Sequence, residues 1–250
     1  MYRSLVRFHT NLKCTIYVVD DDFNEQYNDA NLSVIHARRI PLFEHFRYEI
    51  KRKPDELRWT LKSYAIDDST KNDGNNIGIW IDNDIFFVNN IDFALRDLDE
   101  CGLYVTPHWR NPEPSLTNMQ FYPLAMDGMF NAGFVGVNLL KGESFLKWWQ
   151  RCCAYNCSIS PHLGIMGDQR YLDLSLLYFR DIVRICDKRG CNLANWNIEY
   201  IDRSGIKPIF YHFTGPYIKS INDGFDDLSR PHYEEYSTKL EEAKNDPICK

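Results

Sequence analysis

The sequence predicts an α/β domain with a largely parallel, centrally buried sheet. Two observations carry that expectation. Short β-branched and aromatic runs alternate with helical stretches along the chain, and the strongest run, IGIWI at residues 77–81, is apolar throughout, as a strand covered on both faces is. No Pro-, Gly- or Ser-rich linker divides residues 1–250, so one domain is expected, with a charged tail over 216–250.

The elements follow in order. Residues 14–19 (CTIYVV) read as a buried strand ending on Asp20-Asp21-Asp22, and residues 33–37 as a weaker one. Residues 41–51 and 54–66 read as helices. The second opens Pro-Asp-Glu, which suits a first turn because Pro lacks a donor not needed there and acidic groups favour the positive helix end. Residues 69–76 (STKNDGNN) read as a polar loop, followed by the 77–81 strand and a short strand at 85–88. A strand is expected at 102–106 and a Pro- and Asn-containing loop over 107–126. A strand-like run occupies 130–140, and a helix 142–155. Residues 167–178 read as a helix with Asp168 at the N-cap. Strands at 182–186 and 208–213 and a helical tail from 233 complete the pattern.

Composition excludes several classes. Lys plus Arg is 29 and Asp plus Glu is 35, a net charge of −6, which argues against nucleic-acid binding through phosphates. No apolar run approaches the roughly 20 residues of a membrane span, which leaves peripheral membrane association as the membrane contact to expect. The eight cysteines include no CxxC pair, so they read as reduced, mostly buried thiols of a cytoplasmic protein, with Cys249 exposed in the tail.

The chemistry-bearing residues are few. Asp82-Asn83-Asp84 directly follows the apolar strand, and ligands of open α/β sheets bind at strand carboxyl ends. Two carboxylates one residue apart can face a divalent cation of the Mg²⁺ or Mn²⁺ type, or can simply make a turn. His212, ending an aromatic strand before Thr214-Gly215, is either a ligand or a hydrogen-bonded core residue. Asp168-Gln169 is either catalytic or a cap and a surface amide. Asn131-Ala132-Gly133 lines a site or marks close backbone packing. Trp109, Phe121 and Tyr122 read as sugar-stacking residues or loop anchors.

Five motifs in order are more informative. They are Trp80-Ile-Asp-Asn-Asp-Ile85, Phe130-Asn-Ala-Gly-Phe-Val-Gly-Val137, Gly167-Asp-Gln-Arg-Tyr-Leu-Asp173, Asn192-Leu-Ala-Asn-Trp-Asn197 and Tyr211-His-Phe-Thr-Gly215. Together they resemble the GT-A-fold (Rossmann-like) nucleotide-sugar glycosyltransferases of bacterial surface-polysaccharide pathways, similar to glycosyltransferase family 8. The resemblance implies Mn²⁺ or Mg²⁺ held by Asp82, Asp84 and His212. It implies donor contacts from Arg58, Asp82, Asn83, Asn131, Ala132 and Gly215, and Asp168 and Gln169 beside the reacting carbon. The donor is expected to be a UDP-sugar, the acceptor a saccharide or lipid-linked glycan, and the anomeric configuration retained.

Two features depart from that pattern. Lys219 falls one residue late for the family's His-x-x-Gly-x-x-Lys, and the chain opens on what reads as the helix after the family's first strand. A strand lacking there would leave the 14–19 or the 77–81 strand with an unpaired edge. The competing reading is a catalytically silent sugar-nucleotide or glycan-binding module. A sugar-phosphate nucleotidyltransferase would want a Gly-rich basic N-terminal loop, which is absent.

Overall fold

The computed structural model describes residues 1–20, 22–23, 27–28, 30–114, 121–198 and 205–244. Cys249, Asp21 and parts of the expected 107–126 loop and of the tail lie outside them. A short helix α1 (Tyr2–Leu5) leads into β1 (Cys14–Val18), β2 (Tyr27–Asn28) and β3 (Leu32–His36), which form a three-stranded sheet in the order β1-β3-β2. Residues 41–51 do not form a regular α-helix. Leu42 and Lys51 both have positive φ, and between them residues 43–44 are α-helical and run into a five-residue π-helical turn, His45–Glu49.

Helix α2 (Pro54–Asp73) runs through most of the expected 69–76 loop. The polar residues there serve the helix: the Thr70 hydroxyl donates to the Ile66 carbonyl (2.8 Å), and Lys71 pairs with Asp67 one turn back (2.9 Å). Gly74, at φ 66°, ends it in the left-handed conformation that glycine adopts without strain.

β4 (Ile77–Ile81) has the expected bounds and is followed by β5 (Ile85–Phe87), α3 (Asp92–Glu100) and β6 (Leu103–Pro107). Then come α4 (Phe121–Asp127), β7 (Phe130–Asn138), α5 (Leu139–Tyr155), a minor hairpin of β8 (Ile159–Ser160) and β9 (Ile165–Met166), and α6 (Arg170–Tyr178). β10 (Val183–Ile185), β11 (Phe210–His212), α7 (Gly215–Asn222) and α8 (Arg230–Lys244) close the order.

The central sheet is mixed, not largely parallel. Its order is β10-β6-β7-β4, and only β10 and β6 run parallel; β7 is antiparallel to both β6 and β4. The apolar runs misled because helices cover both faces of β7, and such burial produces continuous apolar sequence whichever way the strands run. Phe145 and Trp149 of α5 pack with Val135 and Val137 on one face, while Ala94 and Leu98 of α3 pack with Phe134 on the other. All nine residues of β7 are buried.

β4 lies at the opposite extreme. Among the described residues it pairs with β7 alone and β1 pairs with β3 alone, and both strands line one cavity of about 1550 Å³. The tail is less loose than its charge suggests: Tyr233 and Tyr236 of α8 pack on Phe213.

Candidate metal and donor site

β5 and β11 pair antiparallel in a register that sets Ile85 opposite His212, and the Phe213 amide donates to the Asp84 carbonyl (2.9 Å). This ladder brings His212 against the acidic turn after β4. His212 Nε2 lies 3.0 Å from Asp84 Oδ1 and 3.9 Å from Asp82 Oδ2. One ligand atom from each of Asp82, Asp84 and His212 fits within 4.8 Å of the others. Burial pushes the Asp84 carboxyl up, but the hydrogen bond and charge of His212 outweigh it and hold Asp84 below its ordinary value.

The imidazole is fixed from behind. Its Nδ1 donates to Asn192 Oδ1 (3.3 Å), which turns Nε2 toward the carboxylates, and Trp196 packs edge-on with ring centres 5.4 Å apart. Asn192 sits at φ 60°, a conformation asparagine tolerates better than most residues. Asn197 holds that turn by donating to the Asn192 carbonyl (2.9 Å). The Asn192–Asn197 motif thus builds the support of His212, a role its sequence did not assign. Close approach is allowed by Gly133, where a Cβ would stand 2.6 Å from His212 Cε1. Gly215 plays no such part: nothing lies within 4 Å of a Cβ built there, and it opens α7.

Lys62 is the residue that sequence reasoning missed. Its side chain is 5% exposed, and Nζ lies 3.0 Å from Asp82 Oδ1, 3.5 Å from Asp168 Oδ2 and 3.2 Å from the Ala132 carbonyl. Burial alone would lower its pKa, but the Asp168 and Asp82 carboxylates raise it and keep the ammonium charged. Arg58, the expected basic residue, lies one helical turn earlier, pairs with Asp55 at the surface, and reaches only the wall of the large cavity. The available signal was Lys62 itself, a lysine one turn before Ile66 on the helix side that packs inward.

Asp168 is no N-cap, since α6 starts after Gln169. It is 3% exposed, its Oδ2 accepts no hydrogen bond, and Lys62 is its nearby cation. Burial pushes its carboxyl up to about 6, the lysine opposing and Asp82 reinforcing the shift. Gln169 Oε1 accepts from the Asn131 side chain (3.2 Å) and the Ala132 amide (3.3 Å). Neutral His108, its pKa lowered to about 3 by burial and by Arg110, accepts from Asn131 (3.4 Å). Lys62, Asp82, Asn131, Ala132, Asp168 and Gln169 therefore line one small pocket of about 120 Å³. Asn83 is exposed and borders the larger cavity. Lys219 pairs with Asp223 on the surface. Trp109 packs against the core beneath Arg189, while Tyr122 is exposed.

The donor set suits a hard divalent cation: two carboxylates and one oriented imidazole, with Lys62 already balancing Asp82. No protein-family model matches the chain. It is 23% identical over 239 residues to the uncharacterized protein YfnF of Bacillus subtilis (strain 168), covering 89% of this chain and 78% of that protein. Solved structures resemble it, two of them as follows. Mouse xyloside xylosyltransferase 1, in its apo form, has TM-score 0.44 and 13% identity, with 86% of this chain and 90% of that one covered. A glycosyltransferase involved in glycosylation of the major capsid of PBCV-1 has TM-score 0.41 and 14% identity, with 72% and 86% covered. Both solved neighbours are glycosyltransferases.

Proposed function

We propose that this chain is a single-domain, metal-dependent glycosyltransferase of GT-A type, similar to family 8, which moves a sugar from a UDP-sugar to a saccharide or lipid-linked acceptor with retention. The observation that carries the reading is the contact of His212 with Asp84, built by the β5–β11 register and held by Asn192. A bare acidic turn needs no such support.

Asp82, Asp84 and His212 would hold Mn²⁺ or Mg²⁺, which when bound supplies charge stabilisation to the departing diphosphate. The chain's own groups do the rest. Lys62 keeps a buried positive charge between Asp82 and Asp168, beside the position a donor phosphate would take. Gln169 and Asn131 hold each other in place and present fixed polar atoms to the sugar. Asp168, ionised at neutral pH, faces the same pocket and orients the acceptor hydroxyl or stabilises positive charge at the anomeric carbon. Arg58, Asn83 and Gly215 are proposed as outer donor contacts. No described helix is long and apolar enough to cross a membrane, and the seven described cysteines are free thiols, in keeping with the proposed cytoplasmic setting.

The test is turnover. The full chain is incubated with a panel of UDP-sugars and Mn²⁺, and UDP release is followed with and without saccharide acceptors. Release that disappears in Asp84→Ala supports the reading. The open edges of β1 and β4 favour one second reading, a silent module that binds a sugar nucleotide without turning it over. Metal-dependent UDP binding with no release from any donor would select it.

A further inference from the structure

We propose that the end of the molecule formed by residues 50–53, the last turn of α5 and the β8–β9 hairpin docks on an anionic lipid bilayer, with the small pocket opening beside that surface. The three segments are tied together. Arg52 donates to the Cys153 and Ala154 carbonyls at the end of α5 (2.9 and 2.6 Å). The Gly167 amide donates to the Ser158 carbonyl (3.0 Å) and closes the hairpin. The Trp59 ring of α2 lies against Gly167, where a Cβ would stand 3.0 Å from it. Ile159 and Met166 pair across the hairpin, so their side chains share one face, and both line the small pocket.

Two properties of this surface point to a bilayer. The first is exposed apolar bulk: Tyr155 is 89% exposed and Leu163 62%, with Ile50 and Ile159 close to half. The second is charge. The chain carries a net −6, yet Lys51, Lys53 and Arg151 stand exposed here with no carboxylate partner among the described residues. The acidic groups beside them are engaged: Glu49 pairs with His45, Asp55 with Arg58, and Glu56 accepts from the Lys53 amide. Lys51 follows the π-helical turn at φ 56°, a backbone conformation uncommon for lysine, and it is held there with its side chain in solvent. Cations alone would suit any polyanion. Cations interleaved with aliphatic and tyrosine side chains suit the lipid interface, where the charged groups meet phosphates and the apolar ones enter the acyl boundary. Docking there turns the mouth of the small pocket toward the bilayer. This consequence rests on the proposed function, and within it selects the lipid-linked acceptor over the free saccharide.

The test mixes the full chain with vesicles of phosphatidylcholine alone, or with about 30% phosphatidylglycerol added, and reads binding by co-sedimentation. The proposal expects binding to the anionic vesicles only, weakened when salt rises from about 0.1 to about 0.5 M. The combined variant Lys51→Asn, Lys53→Gln and Arg151→Gln, in which asparagine keeps the backbone that Lys51 holds, should bind at least about tenfold more weakly. Tyr155→Ser with Leu163→Ser, which leaves the charge unchanged, should bind at least about fivefold more weakly. Equal binding to both vesicle types, or unchanged binding of the charge variant, overturns the proposal. So does loss in the charge variant with none in the apolar one, which would make the surface a site for nucleic acid or an acidic protein. Should a variant not fold, hydrogen exchange of the wild-type chain decides: anionic vesicles should slow it at residues 50–53 and 159–163 and leave α7 unchanged, and slowing confined to α7 or α8 overturns the proposal. Mn²⁺-dependent UDP binding, read alongside, should match wild type in both variants. Its absence from the wild-type chain would sink the proposed function and leave the vesicle readings to decide the docking.

Discussion

β7 and β4 are neighbours in one sheet, paired antiparallel from Ile77–Asn138 to Ile81–Phe134, and both are apolar in sequence. One is buried along its whole length and the other is half open. The difference is in their edges: among the described residues β7 has strands on both sides and β4 on one. The site draws on both. β7 supplies rigidly held groups, Asn131, Ala132 and Gly133. The open strand supplies the acidic turn, which an entering ligand can reach. The Asp82 amide donates to the Gly133 carbonyl (2.8 Å), so the two contributions are locked at the point where they meet.

The largest expected effect breaks the sealed side. Phe134→Ala, which removes a ring packed against Phe87, Tyr104 and Phe210, should destabilise the fold by about 3–5 kcal/mol in chemical denaturation. Ile79→Ala on β4 should cost about 1–2 kcal/mol, because part of that side chain already faces the cavity. Equal losses would erase the comparison. Next in size is Gly133→Ala, whose methyl would displace the His212 ring and cost about 1–3 kcal/mol in overpacking. It should also weaken Mn²⁺ binding more than tenfold, and an unchanged Mn²⁺ titration would show that the ring position is unimportant. Asn192→Ala removes the imidazole's partner and should lower Mn²⁺ affinity by about 10–100-fold while the far-ultraviolet dichroism stays native.

The smallest expected effect is a pH limb. Asp168 protonates near 6 in the folded chain, so transfer should fall as pH drops through that value, and Asp168→Asn should lack the limb. Stability moves the other way. The folded pKa is raised above the unfolded one, so the stability contributed by this group is lost as pH rises through about 6 and is full below the unfolded carboxylate range. A wild-type rate profile flat between pH 5 and 7 would remove Asp168 from the chemistry.

Much of this was legible in the sequence where local chemistry decided it. The bounds of β4 follow from an apolar run with acidic punctuation, whereas the proximity of His212 to Asp84 was implied by the resemblance that the five motifs carry, the residues alone leaving His212 as a ligand or a core histidine. Strand direction was not legible, because burial on both faces writes the same apolar run for β7 as for a parallel strand. Lys62 was hidden for a related reason. A helix lysine reads as solvated unless the two carboxylates that hold it are known to converge, and Asp82 and Asp168 converge only through tertiary structure. Asn192 was visible within a motif, but its role depends on a positive-φ turn that no spacing reveals.

The central claim is that Asp82, Asp84 and His212 form a metal-dependent donor site. It is tested most directly by calorimetric titration of UDP into the full chain with Mn²⁺ present and again in excess EDTA. The account predicts binding with Mn²⁺ that is lost in EDTA and lost in Asp84→Ala with Mn²⁺ present. Equal UDP affinity in Mn²⁺ and in EDTA would contradict it.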